Sequence, residues 1–526
     1  MNKLNMFSGV VSLFFILAIQ SCTQKENEQI RPNILFCIAD DQSFPHAGAY
    51  GCEWIKTPNF DRVANEGILF TRAYTPNAKC APSRACIITG RNSWQLEEAA
   101  NHVPYFPEKF KTYAEVLIEN GYHVGHVAKG WAPGNPGMKD GKKRELLGPA
   151  YNKYTTNPPT NKMSKIDYAK NFESFLESNP EGKPFYFWYG STEPHREYEF
   201  KSGINKGGKN TGQIDHVFSF WPDNDTVRSD LLDYAFEIEY FDQHLGKMLK
   251  ILEEKGMLEN TIVVVTADNG MPFPRIKGQE YELSNHLPLA IMWPKGIKNP
   301  GRIVNDFVSF TDYAPTFLDV AGVLPEKSGM QELEGNSLLP IFFNEREAIG
   351  REFMVIGKER HDLGRPNDEG YPMRGILKDG FLYIKNYKTD RWPAGNPETG
   401  YMNCDGSPTK SFILNDRRMN GKSRYWDLNF GKRVAEELYQ ISVDPECLKN
   451  LADSVDFSEI KGKLVQQMTD ELTKEGDPRI LGNGDIFDTY PYSEDATRNF
   501  YNRFMDGEPV KAGWINQSDI EKEKLE

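Results

Sequence analysis

Four polar clusters stand directly behind four apolar runs, and their side chains bind cations, bind anions or move protons. Asp40-Asp41 follows the run from Asn33 to Ala39, and Asp268-Asn269 follows Thr261 to Ala267. Lys129 follows Tyr122 to Ala128, and Glu193-Pro194-His195 follows Phe185 to Tyr189. Asp40, Asp41, Asp268 and Asn269 offer the oxygen ligands of a hard divalent cation. Ca²⁺ accepts several carboxylate and carbonyl oxygens in flexible geometry, while Mg²⁺ is smaller, keeps waters and suits the set less well. No His/Cys group has zinc spacing. Lysine supplies a compact positive charge, and imidazole a proton near neutrality. Each acidic pair alone reads as a helix cap or a turn. Their joint position behind the two most apolar runs is what points to a metal.

These runs fix the architecture. From about residue 30 to 345, buried-strand patterns (33–38, 122–128, 185–189, 261–266) alternate with helical ones (60–67, 113–120, 233–255). Such alternation predicts a large, mostly parallel α/β sheet sandwiched by helices. Ligands of such sheets bind outside the carboxyl ends of the strands, where all four polar clusters fall. In the Asp233–Lys255 pattern, Phe236, Tyr240, Leu245, Leu249 and Leu252 share one side, and Gly256 ends it. Beyond about 350 the pattern changes to short strands between Gly375 and Tyr387, Gly/Pro/Asn-rich loops, and a last helix over 457–475. This predicts a smaller C-terminal α+β subdomain. The expected division is a catalytic domain over 31–348 and the subdomain over 349–526.

The most specific stretch is Cys80-Ala81-Pro82-Ser83-Arg84, continuing to Thr89-Gly90-Arg91. Pro82 near its start and Gly90 past its end frame a short helix, with Cys80 just ahead of the N-terminus. On residue type alone, Cys80 is either a low-pKa thiol or a buried cysteine. The stretch resembles the signature of the type I, formylglycine-dependent sulfatases of the alkaline phosphatase superfamily. Thr57 to Arg62, Glu66-Gly67, Lys277 to Glu282, Glu437 to Tyr439, Asp444 to Glu446 and Asn450 to Ala452 resemble further landmarks of that family. Asp268 to Pro274, Pro194-His195-Arg196 and Tyr371 to Arg374 are most similar to its heparan N-sulfatase (sulfamidase) branch.

The resemblance implies that Cys80 is oxidised to formylglycine by a formylglycine-generating or radical sulfatase-maturing enzyme. The hydrated aldehyde attacks sulfur through one hydroxyl, and the second collapses to the aldehyde and expels sulfate. Asp40, Asp41, Asp268, Asn269 and the modified Cys80 would hold one Ca²⁺. Arg84 would steady the hydrated aldehyde, Lys129 and Lys277 would bind sulfate oxygens, and His195 would contact the sulfate or protonate the leaving group. The chain departs from the family where a histidine commonly stands two residues after the lysine. It has Trp131 there, and indole cannot titrate. His195, His126 or His361 must then supply the acid, and Trp131 could wall a sugar site. Arg196, Glu359, Arg360, His361 and Arg374 are candidates for sugar recognition, with a structural ion pair as the alternative for the last four.

The rest of the chain bounds the biology. A formal charge of −13 over 526 residues argues against nonspecific nucleic-acid binding. Residues 1–21 carry one charge, Lys3, and an apolar run too short to span a bilayer, and Ser21-Cys22 resembles a bacterial lipoprotein box. That predicts export, processing by the lipoprotein machinery, a lipid on Cys22, a polar tether over 22–30, and an anchor in the bacterial envelope. Seven cysteines are too few for a disulfide scaffold. The expected activity is hydrolysis of a sulfate ester or N-sulfate on a glycan. The rivals are a phosphoric monoester or phosphonate hydrolase of the same superfamily, and a non-catalytic glycan-binding lipoprotein.

Overall fold

Apolar runs without charge can lie only where both faces of a sheet are covered. In the computed structural model, which describes residues 31–179, 182–345 and 350–525, four such runs form β1 (Asn33–Ala39), β3 (His123–Ala128), β6 (Phe185–Gly190) and β7 (Thr261–Ala267). They lie side by side in the order β3-β6-β1-β7, all parallel. Phe36 is in register with Trp188 on one side and Val264 on the other. The sheet continues through β8 (His286–Met292), antiparallel to β7, and β2 (Ile68–Tyr74), antiparallel to β8. The short β9 (Arg302–Val304) and β10 (Val308–Ser309) run parallel to β2. A hairpin of β4 (Met138–Lys139) and β5 (Lys142–Lys143) stands apart. The sheet is therefore mixed and mostly parallel, as its sequence implies.

Alternate residues of β1 serve opposite faces. Ile34, Phe36 and Ile38 pack with the helices Cys80–Thr89, Tyr113–Glu119 and Tyr313–Ala321. Leu35, Cys37 and Ala39 pack with Pro58–Asn65, Tyr168–Glu177 and Asp225–Glu254. Each large apolar side chain fully buried this way contributes about 1.5–3 kcal/mol. Phe236, Tyr240, Leu245, Leu249 and Leu252 all lie on the buried side of the long helix. That helix begins eight residues earlier than its apolar pattern, because Asn224 caps it through the backbone N–H groups of Thr226 and Val227.

The C-terminal region forms an antiparallel sheet of β11 (Phe353–Lys358), β12 (Met373–Lys378), β13 (Phe381–Asn386) and β14 (Glu436–Tyr439). One face packs on helix Ser458–Lys474 through Leu464, Met468 and Leu472. The other packs through Met354, Ile356 and Leu382 on Tyr74, Tyr281 and Phe307 of the main body. The helix over 457–475 is not the last, since Ile486–Thr489 and Phe500–Met505 follow it. Both are short and lack a clear apolar period. The leader over 1–21, the tether over 22–30, Cys22 and the domain boundary at 348/349 lie outside the described residues. Among the described residues no helix is long and apolar enough to cross a membrane, and the six cysteines are free thiols.

Candidate active site

Because β3, β6, β1 and β7 are parallel neighbours, the polar residues behind them meet at one edge. Asp41 is held at φ 75°, and its backbone N–H donates to Asp268 Oδ1 at 3.0 Å, tying the end of β1 to the end of β7. The helix carrying the signature starts at Cys80 itself and ends at Gly90, whose φ of 67° is the left-handed cap that glycine adopts freely. Cys80 therefore sits in the first turn, with Pro82 two positions behind it. The helix is buried along its whole length, and Cys80 is 1% exposed.

Cys80 Sγ lies 3.5 Å from Asp40 Oδ1 and 3.9 Å from Asp41 Oδ1. Arg84, one turn along, is fully buried. Its Nε donates to Asp268 Oδ2 at 2.8 Å and Nη1 donates to the carbonyls of Lys129 and Gly130 at 2.8 and 2.9 Å. Its Nη2 stands 3.6 Å from Asp40 Oδ1 and makes no hydrogen bond. Lys129 Nζ contacts Asp40 Oδ2 at 2.5 Å. Lys277 Nζ bridges Asp41 Oδ2 and Asp405 Oδ2, both at 2.7 Å. His195 Nδ1 donates to the Arg196 carbonyl at 2.5 Å, and Nε2 lies 3.9 Å from Asp41 Oδ2. Its side chain is 29% exposed, so it borders solvent.

The electrostatics follow from crowding three carboxylates out of water. Burial raises the Asp40 carboxyl above its ordinary range, against the pull of Lys129. Burial would raise Asp268 too, but Arg84 and Lys129 outweigh it and hold that carboxyl well below its ordinary range. Burial opposes the charge on Lys277, yet Asp405 and Asp41 hold its ammonium well above the usual lysine range. Burial pushes the Cys80 thiol well up, so it is not a thiolate in these surroundings.

The donor set fits a hard cation. Oxygens of Asp40 and Asp268 and the Cys80 sulfur lie within 4.8 Å of one another. Asn269 donates Nδ2 to Asp41 Oδ1 at 2.7 Å and leaves its buried Oδ1 without a partner. An orphan amide oxygen beside three buried carboxylates suits a hard divalent cation.

The structure separates the remaining candidates. Trp131 is a packing residue and not an open sugar wall. It is 8% exposed, donates Nε1 to the Ala81 carbonyl at 3.1 Å, and meets Phe106 edge-on at 5.0 Å beneath the Cys80 helix. Glu359 and Arg374 are withdrawn from sugar recognition by a closed ion-pair network. Arg374 forks onto Asp477 at 2.9 and 2.8 Å and reaches Glu359 at 2.7 Å, and Arg479 reaches Glu359 at 2.6 Å. Arg360 donates to the Tyr490 carbonyl at 2.6 Å and stacks 3.9 Å over Tyr492, so it also holds structure. His361 is fully buried, contacts Asn77 Oδ1 at 2.7 Å, and is kept neutral by burial and by Lys358. His126 contacts the Gly148 carbonyl at 3.1 Å on the edge strand β3. Arg196 remains beside the site, next to His195 and lining a cavity with Lys129. Another cavity, of about 830 Å³, lies between β2 and the antiparallel sheet and takes no residue from the Cys80 cluster.

Asp405 was not foreseen. It comes from a loop of the C-terminal region, pairs with Lys277, and has a carboxylate oxygen within 4.8 Å of Asp41 and His195 ligand atoms. Burial would raise its carboxyl, but Lys277 and His195 hold it well below the ordinary range.

A parallel sheet edge that gathers buried carboxylates, two lysines and Cys80 is the kind of site that hydrolyses anionic esters. The family model described as Sulfatase matches residues 32–323, and the chain belongs to the sulfatase family. It is a sulfuric ester hydrolase. The chain is 28% identical to an ulvan-active sulfatase of Formosa agariphila, over 85% of this chain and 81% of that one. It is also 28% identical to the human N-sulphoglucosamine sulphohydrolase, over 84% and 89%. A structure solved with its substrate D-glucosamine-2-N,6-O-disulfate superposes with a TM-score of 0.58 at 21% identity, over 85% and 98%. A 2-O GAG sulfatase superposes with a TM-score of 0.60 at 19% identity, over 85% and 93%. At those identities the two structures establish the shared fold.

Proposed function

We propose that the chain removes sulfate, as an ester or an N-sulfate, from a heparan-type glycan, with Cys80 matured to formylglycine and Ca²⁺ held by Asp40, Asp41, Asp268 and Asn269. The placement of Cys80 between two buried carboxylates, inside a ring of Lys129, Lys277 and His195, carries the proposal. The similarity to an N-sulphoglucosamine sulphohydrolase over 89% of its length supports the substrate class. Bound there, Ca²⁺ would neutralise sulfate charge as a Lewis acid, and the hydrated aldehyde would supply the attacking hydroxyl.

The chain's own residues do the rest. Lys129 and Lys277 each commit donors to carboxylates, and each ammonium has three, which leaves capacity for sulfate oxygens. Arg84 pins Asp268 and the backbone of Lys129 and Gly130, so it fixes the ends of β7 and β3 as well as facing Cys80. Asp405 aims Lys277. His195 takes the acid role as an imidazolium: its Nδ1–H stays on the Arg196 carbonyl and the second proton, on Nε2, passes to the leaving atom, leaving the neutral Nδ1–H ring. His361 is fully buried and held neutral, and His126 has Nδ1 on the Gly148 carbonyl, whereas His195 lines the cavity with Lys129 and borders solvent. The same reading assigns residues 1–21 to export and Cys22 to a lipid anchor in the bacterial envelope.

The test is sulfate release from defined N-sulfo-, 2-O-sulfo- and 6-O-sulfo-glycosaminoglycan saccharides, by protein matured in a competent host. One preferred position should emerge, with Ca²⁺ dependence. Faster turnover of a phosphonate monoester than of every sulfated sugar would overturn the reading.

A further inference from the structure

The cavity lined by Lys129 and His195 is also lined by Glu237, from the middle of the long helix Asp225–Glu254. Glu237 is 1% exposed, and among the described residues neither of its carboxyl oxygens has a hydrogen-bond partner. Oε1 is closed off from solvent, which leaves Oε2 to the cavity. The polar groups around it are engaged. Glu193 accepts from the Ser164 N–H at 2.7 Å and from the Tyr168 and Ser191 hydroxyls, both at 2.6 Å. Arg196 forks onto Asp230 at 2.7 and 2.9 Å, and Lys162 reaches Glu197 at 2.6 Å.

The same helix supplies the comparison. Asp230, Asp233 and Asp242 are buried carboxyls too, but each is satisfied within the chain: Asp230 by Arg196, Asp233 by the N–H groups of Lys201 and Gly203 at 2.8 Å, and Asp242 by those of Asn59 and Phe60 at 3.1 and 2.8 Å. Of these four, Glu237 alone lacks a partner, and a buried polar group without one is costly to keep. Burial, then the neighbouring Glu193 and Asp233, hold its carboxyl well above the ordinary range, so at neutral pH it is an uncharged acid. Such a carboxyl both donates and accepts a hydrogen bond, as a sugar hydroxyl does. Lys129 and His195, which seat the sulfate, are not among the charges that act on it. Glu237 therefore faces the part of the cavity beyond the sulfate, where the ring that carries the sulfate lies.

We infer that Glu237 is a specificity-determining residue whose carboxyl exchanges hydrogen bonds with a hydroxyl of the sulfated ring. The inference rests on the glycan-sulfatase reading above. The test measures kcat/KM on the preferred sulfated saccharide and on analogues that each lack one hydroxyl of the sulfated ring, for wild type, Glu237→Leu and Glu237→Gln. In the wild type one analogue should lose about tenfold or more. Glu237→Leu should lose a similar factor on the parent saccharide and nothing further on that analogue, the mark of one shared contact. Glu237→Gln, whose amide also donates and accepts, should keep the preference for the parent over that analogue. The Tm of Glu237→Leu should rise, because an unpaired buried carboxyl is removed. A lower Tm would mark a structural role and count against the inference. A kcat/KM for Glu237→Leu within twofold of wild type, or losses that multiply on every analogue, would overturn the assignment and leave the sulfatase reading intact. No turnover of any sulfated saccharide by formylglycine-bearing protein would instead overturn the reading beneath it.

Discussion

Replacing Asp405 by asparagine tests whether the C-terminal region completes the active site. Asp405 Oδ2 lies 2.7 Å from Lys277 Nζ, and both side chains are almost wholly buried. At that separation and an effective dielectric of 20 the attraction is about 6 kcal/mol. Asparagine keeps an acceptor oxygen of nearly the same shape, and Asp41 still holds Lys277 at 2.7 Å. The net loss is therefore that of one charge-assisted hydrogen bond, about 1.5–3 kcal/mol. If that energy serves to aim Lys277 at sulfate, kcat/KM should fall about 10- to 150-fold. Initial-rate sulfate release by Asp405→Asn, at matched formylglycine content, measures this. Thermal unfolding of the same protein shows whether the fold survives. A folded variant with kcat/KM within twofold of wild type would refute the reasoning, because Lys277 would then need no partner from the C-terminal region.

His195→Gln should lower kcat about 10²- to 10⁴-fold on a sugar sulfate, and far less on an aryl sulfate whose phenolate leaves without a proton; equal losses on both would remove His195 from the acid role. Chelation should abolish turnover and lower Tm, since Asp40, Asp41 and Asp268 are left crowded, and added Ca²⁺ should restore both; full activity after exhaustive chelation would contradict the metal assignment. Arg374→Met should destabilise the chain by about 3–5 kcal/mol by stranding Asp477 in the core, while Glu359 keeps Arg479, read as a lower denaturant midpoint. Burial pushes the Glu475 carboxyl up to about 7 beside Trp94 and Asn92. With its folded pKa above the unfolded one, its contribution is complete below the unfolded value near 4.5 and is lost as pH rises through 7. Glu475→Gln should therefore flatten the fall in Tm between pH 5 and pH 8, and an unchanged slope would exclude that carboxyl as its source.

The sheet edge was legible because parallel strands buried on both faces are written as uninterrupted apolar runs, and the residue after each run is where chemistry sits. β1, β6 and β7 carry no charged residue between their ends, so Asp40, Glu193 and Asp268 stand out. β2 and β8 carry weaker signals. Thr71 and Arg72 interrupt β2, where the register with β8 also shifts, and Pro288 interrupts β8. Asp405 was not legible at all, since it stands in a loop without periodicity and meets Lys277 only through the packing of two regions 128 residues apart. Glu359, Arg374 and Trp131 show the converse. Their residue types suit sugar recognition, but ion pairs and core packing bury them, and burial is not written in residue type.

The central claim is that Cys80 becomes an aldehyde and that this aldehyde is what turns over sulfate. The most direct measurement takes protein from hosts with and without a maturing enzyme, quantifies the aldehyde-bearing Cys80 peptide by mass spectrometry, and plots it against sulfate release from the preferred saccharide. The account predicts a line through the origin, with Cys80→Ala on it at zero. Turnover by protein whose Cys80 is wholly unmodified thiol would contradict it.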